Sequence, residues 1–258
     1  MEEKHLIRSI IRNIINEQFI QEGVYDKNIF KAFFLAGGPG SGKSFVLSQI
    51  FGTMTKDGVP VAQTLTGTGF KIFNIDHAFE LELKKRNINL KTLAHLAGAE
   101  EAKVAQARNV ASKSVSAMWD FYKQGRLGMI VDSTSQHANK TIEFKEELEK
   151  IGYDIYMIFV STDKNVALRR NMQRDRVLPF ELVSQIWEKS NANKEFLRTI
   201  FGENFIEVEN NEDKDVSEDI KKRIMQFANA PIENPIALQW IENEKEIKNK
   251  LKVNQHEL

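Results

Sequence analysis

Five short apolar runs, each bounded by turn residues, alternate along the chain with stretches whose apolar positions recur at helical spacing. The runs are residues 31–36, Lys71 to Asp76, Met129 to Asp132, Tyr153 to Val160 and Phe205 to Val208. Between them, Phe45, Val46, Leu47 and Ile50 mark a helix that stops near Gly52, and another is expected from about Ala78 to Arg86. Val104, Ala107, Ala111, Val115, Met118 and Tyr122 stripe a long helix over Glu100 to Lys123, ended by Gly125-Arg126-Leu127-Gly128. Further helices are predicted over about Asn139 to Ile151, after a Ser161-Thr162-Asp163 cap, from Pro179 through Leu182, Val183, Ile186, Trp187, Phe196, Leu197 and Ile200, and over Asp215 to Asn229. Strands alternating with helices predict an α/β fold around a largely parallel sheet.

The two ends carry helical patterns outside this alternation. Ile7, Ile10, Ile11, Ile14, Ile15 and Phe19 give an amphipathic helix over 4–19, either packed on the domain or a partner-docking arm. A sparser pattern, Ile236, Leu238, Ile241, Ile247 and Leu251, follows Pro235; that helix can dock on the core, pair with another subunit or fray. The expected organisation is an N-terminal extension over 1–29, one domain over 30–230 and a C-terminal tail over 231–258. Residues 53–69, rich in Thr and Gly, have no period and read as a long exposed loop, either a substrate loop or lid or an excursion without chemistry. Gly67-Thr68-Gly69 within it is no dinucleotide fingerprint, because no strand precedes it in register.

The chemistry begins where the first run ends. Gly37-Gly38-Pro39-Gly40-Ser41-Gly42-Lys43-Ser44 matches G-x-x-x-x-G-K-[ST] at every fixed position, with strand before and a helix running through Phe45 after; these eight residues and Phe45 are the candidate nucleotide contacts. Glycines let backbone amides approach phosphate oxygens, Lys43 can reach the terminal phosphates, and the Ser44 hydroxyl can ligate Mg²⁺. A nucleoside triphosphate, most simply ATP, is the expected ligand. Asp132 closes an apolar strand in the manner of a second, Mg²⁺-holding carboxylate, and Asp76 closes the second run, where a substrate hydroxyl would lie. His77 beside it is either a tuning neighbour or a solvent-facing histidine. Thr134 and Gln136 are candidate substrate contacts, although some hydroxyls of Ser133-Thr134-Ser135-Gln136-His137 are equally explained as caps. Arg169, Arg170, Arg174 and Arg176 follow the fourth strand, with Arg170 and Arg174 on one expected helical face, which places a lid at about 169–180.

Composition then narrows the options. Lys plus Arg equals Asp plus Glu at 36 each, so no global basic field favours nucleic acid, although a local groove remains open. The absence of cysteine excludes disulfides, thiolate metal sites and thiol catalysis. The Met-Glu-Glu-Lys start lacks signal-peptide character, and no run approaches a membrane span, which makes a cytoplasmic protein the expectation.

The P-loop, Asn74-Ile75-Asp76, the strand ending in Asp132 and Arg170-Asn171 through Arg174, Arg176 and Pro179 together resemble the zeta-toxin-like branch of the P-loop kinases over roughly residues 30–210. With its Gly23-Val24-Tyr25-Asp26 lead-in, the chain also looks like uncharacterised zeta-toxin-family proteins of tailed bacteriophages. The resemblance implies a P-loop three-layer sandwich with a five-stranded parallel sheet of order 2-3-1-4-5. It also implies Asp76 as general base and Arg170, Arg174 and Arg176 as lid arginines over the transferring phosphoryl group. The family's third-strand motif, usually Asp-Gly-Thr with an arginine shortly after that serves the sugar-nucleotide substrate, reads here Asp132-Ser133-Thr134-Ser135-Gln136, with neither that glycine nor that arginine. The reaction expected is Mg·ATP-dependent phosphorylation of a small-molecule hydroxyl, such as that of a nucleotide sugar or nucleoside. The rivals are a nucleic-acid acceptor, and a nucleotide-driven switch or assembly with no acceptor, in which the terminal helices would meet protein partners.

Overall fold

The computed structural model describes residues 23–53, 55–56, 59–60, 64–89, 99–174, 176–212 and 214–256. The amphipathic pattern over 4–19 lies outside the described residues. Strand β1 (Lys31–Ala36) is the centre of the sheet, followed in the chain by β2 (Lys71–Phe73), β3 (Met129–Asp132), β4 (Asp154–Ser161) and β5 (Phe205–Glu209). Their spatial order is β2-β3-β1-β4-β5 with every pairing parallel, as expected. All six residues of β1 are buried, because helices cover both faces of the sheet.

Side-chain alternation along β1 divides the core in two. Ala32, Phe34 and Ala36 face a cluster with Trp119, Tyr122, Leu148 and Phe201, whereas Phe33 and Leu35 face Val46, Phe51, Phe70 and Ile224. Phe33 meets Phe51, Phe70 and Phe227 edge-on at 5.0, 5.3 and 5.4 Å, a geometry that suits the quadrupoles of the rings. The covering helices are α1 (Lys43–Phe51), α2 (Ile75–Lys85), α3 (Ala99–Gly125), α4 (Ala138–Lys150), α5 (Lys164–Met172), α6 (Phe180–Ala192), α7 (Lys194–Phe201), α8 (Glu218–Ala228) and α9 (Pro235–His256). Among the described residues, no helix is long and apolar enough to cross a membrane.

Three boundaries and one cap differ from the sequence expectation, each for a local reason. The second strand stops at Phe73, because the Asn74 side chain accepts the His77 N–H and starts α2 at Ile75; Asp76 therefore sits in the first turn of a helix. Helix α5 ends at Met172, so Arg174 and Arg176 lie beyond it and the shared helical face of Arg170 and Arg174 does not exist. Instead the buried Asn171 staples the loop that follows α5, donating from Nδ2 to Leu178 O at 2.8 Å and accepting the Leu178 N–H at 3.2 Å. The helix opened by Pro179 breaks at Asn193 into α6 and α7, and Asn193 Nδ2 donates to the carbonyls of Ser135 and Gln136. Asp163 stands at the N-cap of α5 without a capping bond; the Thr162 hydroxyl is engaged by Asn210 O at 3.0 Å.

The stretch read as a free loop over 53–69 is partly built. Thr55–Lys56 and Val59–Pro60 pair antiparallel, and Leu65 and Thr66 are buried. Its residues 64–69 are tied to Phe51, Gly52, Asn28 and the start of β2, at the opposite end of the sheet from the P-loop. Those residues are therefore no lid over the nucleotide end.

The lead-in residue Asp26 ties the same end together. Its carboxylate accepts from Lys71 Nζ and from the backbone N–H groups of Asn28 and Gly128, joining the starts of β2 and β3. Helix α9 docks on this end: Trp240 meets Phe30 edge-on at 5.5 Å, Ala237 is fully buried, and Lys248 Nζ lies 5.0 Å above the Tyr25 ring. A Cβ on Gly152 would stand 2.9 Å from Ala237 N, so the close approach of α9 requires glycine there.

Candidate active site

One cavity of about 500 Å³ opens at the carboxyl ends of the strands, where ligands bind in open α/β sheets. It is lined from the P-loop by Gly38, Pro39, Gly40, Gly42, Lys43 and Ser44, and from the β2–α2 junction by Asn74, Ile75 and Asp76. Asp132, Ser133, Thr134 and Gln136 line it beyond β3, and Arg170, Arg174 and Arg176 reach it from α5 and the loop after it. The remaining candidates do not line it. Gly37 and Ser41 belong to the P-loop without facing the cavity, Phe45 packs against the apolar cluster, and half-buried His77 supplies its backbone N–H to the α2 cap.

The P-loop is braced on three sides. A Cβ on Gly40 would stand 2.2 Å from Ala167 O, and one on Gly42 2.1 Å from Asn210 Nδ2; both residues have positive φ, at 79° and 85°, so only glycine fits. Trp187 of α6 covers Gly38 and anchors its own ring by donating from Nε1 to Thr162 O at 2.9 Å. Asn210, just past β5, donates to Ser41 O at 2.8 Å, and its carbonyl accepts from Arg170 Nη1 at 2.8 Å. Arg170 also lies 3.4 Å from Gly40 O. Asn171, Trp187, Asn193 and Asn210 were not singled out by sequence reasoning for these roles. Their only signal is position, polar side chains with both donors and acceptors, or an indole N–H, where elements end.

Charge is concentrated in the floor of the cavity. Lys43 Nζ donates to Gly37 O at 2.8 Å and stands 4.0 Å from Asp132 Oδ1. Asp132 Oδ2 accepts from Asn74 Nδ2 at 2.5 Å, whereas Oδ1 is buried without a hydrogen-bond partner. Burial pushes the Asp132 carboxyl above the ordinary carboxylate range; the positive charge of Lys43 opposes this, Asp76 adds to it, and the Asn74 bond and Arg174 partly offset it. Burial likewise lowers the His77 pKa, with Glu80 opposing. Asp76 has a side chain 69% exposed at the mouth, with Arg176 Nη1 3.4 Å from Oδ1. Arg176 also lies 3.5 Å from Glu80 and stacks 5.4 Å from the Phe79 ring centroid. The Arg174 side chain makes no hydrogen bond or ion pair with a described residue; its backbone N–H donates to Asn171 O at 3.2 Å.

A sequence profile of the Zeta toxin family matches residues 91–229, more than half of the chain. The chain belongs to the zeta toxin family. The matched stretch carries Asp132, Arg170, Arg174 and Arg176, while the P-loop and Asp76 precede it. No curated protein matches the chain in sequence. Among solved structures, the PezAT chromosomal toxin–antitoxin system of Streptococcus pneumoniae superposes with TM-score 0.53 at 14% identity, over 94% of this chain and 93% of that one. The AvrRxo1-ORF1:AvrRxo1-ORF2 complex with sulphate ions gives TM-score 0.54 at 12% identity, over 83% of this chain. The match spans 64% of the AvrRxo1 chain, under two thirds of its length. The complex with ATP gives TM-score 0.50 at 11% identity, over 90% and 74% of the two chains. These likenesses establish the P-loop kinase fold of this zeta toxin family member.

Proposed function

We propose that the protein is an ATP- and Mg²⁺-dependent phosphotransferase that moves the γ-phosphoryl group of ATP onto a hydroxyl of a small molecule such as a nucleotide sugar or nucleoside. The observation that carries this reading is a single cavity holding the P-loop lysine Lys43, two carboxylates, Asp132 and Asp76, and three lid arginines. Family membership supports a kinase, and an ATP-bound structural neighbour supports ATP as donor. In such transfers positioning and charge neutralisation carry most of the rate.

Lys43 and the loop amides bind the terminal phosphates. The buried Oδ1 of Asp132, which accepts no hydrogen bond among the described residues and has only Lys43 at 4.0 Å, suits a hard cation, which Asp132 and Ser44 would hold. When bound, Mg²⁺ supplies neutralisation of charge on the β- and γ-phosphate oxygens. Among the described residues no group of three His, Asp or Glu could hold a metal alone, so the rest of its shell would be phosphate and water. Asp76, exposed at the mouth, takes the proton from the acceptor hydroxyl. That oxygen forms the new bond to the γ-phosphorus as the bond to the bridging oxygen of ADP breaks.

The arginines divide their work. Arg174, unpaired among the described residues, neutralises the transferring group, Arg170 braces the P-loop through Gly40 and Asn210, and Arg176 holds Asp76. Ile75, Leu178, Leu182 and Ile186 give the acceptor side an apolar wall, with Ile75 and Leu182 left 51% and 41% exposed, which suits a flat ring such as a nucleobase. Thr134 and Gln136 offer it hydrogen bonds. The neighbouring complexes support a protein partner as a further ligand of this fold.

The test is transfer from ATP labelled on its terminal phosphate, offered to nucleotide sugars, nucleosides, DNA and RNA ends, and water. Label should appear on a small-molecule hydroxyl and fall by about a hundredfold or more in Lys43→Ala and in Asp76→Asn. Label on polynucleotide ends alone would replace the acceptor class. Phosphate released only to water, at a rate indifferent to Asp76→Asn, would sink the reading.

A further inference from the structure

Asn74 uses both ends of its side-chain amide, and both uses converge on the cavity. Oδ1 accepts the His77 N–H at 3.1 Å, capping the helix whose first turn presents Asp76. Nδ2 donates to Asp132 Oδ2 at 2.5 Å. That bond occupies one carboxylate oxygen and leaves the other, Oδ1, buried without a hydrogen-bond partner and 4.0 Å from Lys43 Nζ. A capping residue needs only an acceptor, and serine or threonine would serve. The amide donor is the part of Asn74 that capping does not explain.

We infer that Asn74 is a positioning residue that fixes the Asp132 carboxylate so that Oδ1 alone is offered to the divalent cation accompanying the nucleotide, and that through its cap it holds Asp76 in register with that cation. The inference rests on the reading of Asp132 as a metal carboxylate. It follows from the donor inventory: an ionised carboxylate only accepts, and of the described side-chain donors within 4.0 Å of it Asn74 bonds Oδ2 while Lys43 stands at 4.0 Å from Oδ1. Groups that orient metal ligands in this way typically account for 10–100-fold in metal affinity.

The experiment uses the full chain loaded with ADP and titrated with Mn²⁺, free Mn²⁺ being followed by its electron paramagnetic resonance signal. Asn74→Ser keeps a capping oxygen and removes the amide donor. It should weaken Mn²⁺ binding by roughly 10–100-fold, while ADP affinity without divalent cation and the thermal midpoint stay near wild type. Asn74→Thr, which also caps, carries the same readout should the serine variant fold poorly. Wild-type Mn²⁺ affinity in a folded capping variant overturns the inference and leaves Asn74 a cap only. Asp132→Asn run beside it separates the two readings: if that change also leaves Mn²⁺ binding intact, the metal role of Asp132 falls and the inference falls with it.

Discussion

Arg176 reaches over the mouth of the cavity to Asp76, Nη1 to Oδ1 3.4 Å, while its guanidinium lies over Phe79 and beside Glu80. The loop after α5 thus holds the proposed base through a helix that Arg176 also grips by stacking. Arg176→Ala should lower phosphoryl transfer by about 10–100-fold with little change in nucleotide affinity. Arg176→Lys should recover only part of the loss, because a point charge cannot stack on Phe79 and pair with two carboxylates at once. Steady-state rates with the acceptor found by label transfer, beside ADP titrations, check this; an Arg176→Ala enzyme at full rate would break the link between lid and base.

Glu82 is one source of pH dependence in the fold. Its buried carboxylate pairs with Lys85 at 2.9 Å and with Arg86 on the outer turns of α2. Burial alone would raise its pKa, but the hydrogen bonds from Arg86 and Lys85 outweigh burial and hold it below the ordinary value of 4.5. A depressed folded-state pKa contributes stability that is present above the unfolded value and lost as pH falls through the folded one. Glu82→Gln should therefore cost about 1–3 kcal/mol at neutral pH. The gap to wild type should close as pH drops below about 4.5, as urea titrations at several pH values would show. A gap that persists at pH 3 would place its origin in packing rather than charge.

The docking of α9 makes a stability prediction that leaves the chemistry alone. Trp240 packs on Phe30 and under Arg126, whose guanidinium lies 5.3 Å from the indole. Trp240→Ala should lower stability by about 2 kcal/mol or more, with ADP affinity unchanged, because the contact lies at the far end of β1 from the P-loop. Thermal melts with and without ADP would measure both; loss of nucleotide binding in a folded variant would contradict it.

The sheet was legible because central parallel strands must be apolar throughout, so Phe33-Phe34-Leu35 and Met129-Ile130-Val131 stand out from any helix pattern. The P-loop was legible because its backbone admits almost no other residues. What escaped was set by side chains acting across long sequence separations. Asn193 breaking a helix to hold Ser135, and Asn210 bracing Ser41, leave no periodic trace. Arg174 was placed on a helix because helical spacing continues past Met172, whereas the Asn171–Leu178 staple turns the chain out there. The 53–69 stretch lacked a period because it pairs in a hairpin of two-residue strands and residues 64–69 are also tied to Asn28, Phe51, Gly52 and β2, none of which a helix or long-strand period reports.

The placement of α9 also decides how the protein can be handled. Ala237, Trp240 and Lys248 all rest against Gly152, Phe30 and Tyr25, at the end of the sheet where β1 and β4 begin. A surface anchor or fluorophore attached along the outer face of that helix therefore leaves the phosphate-binding mouth turned toward solution. Tethered single molecules could then be watched binding nucleotide without the tether competing for the opening.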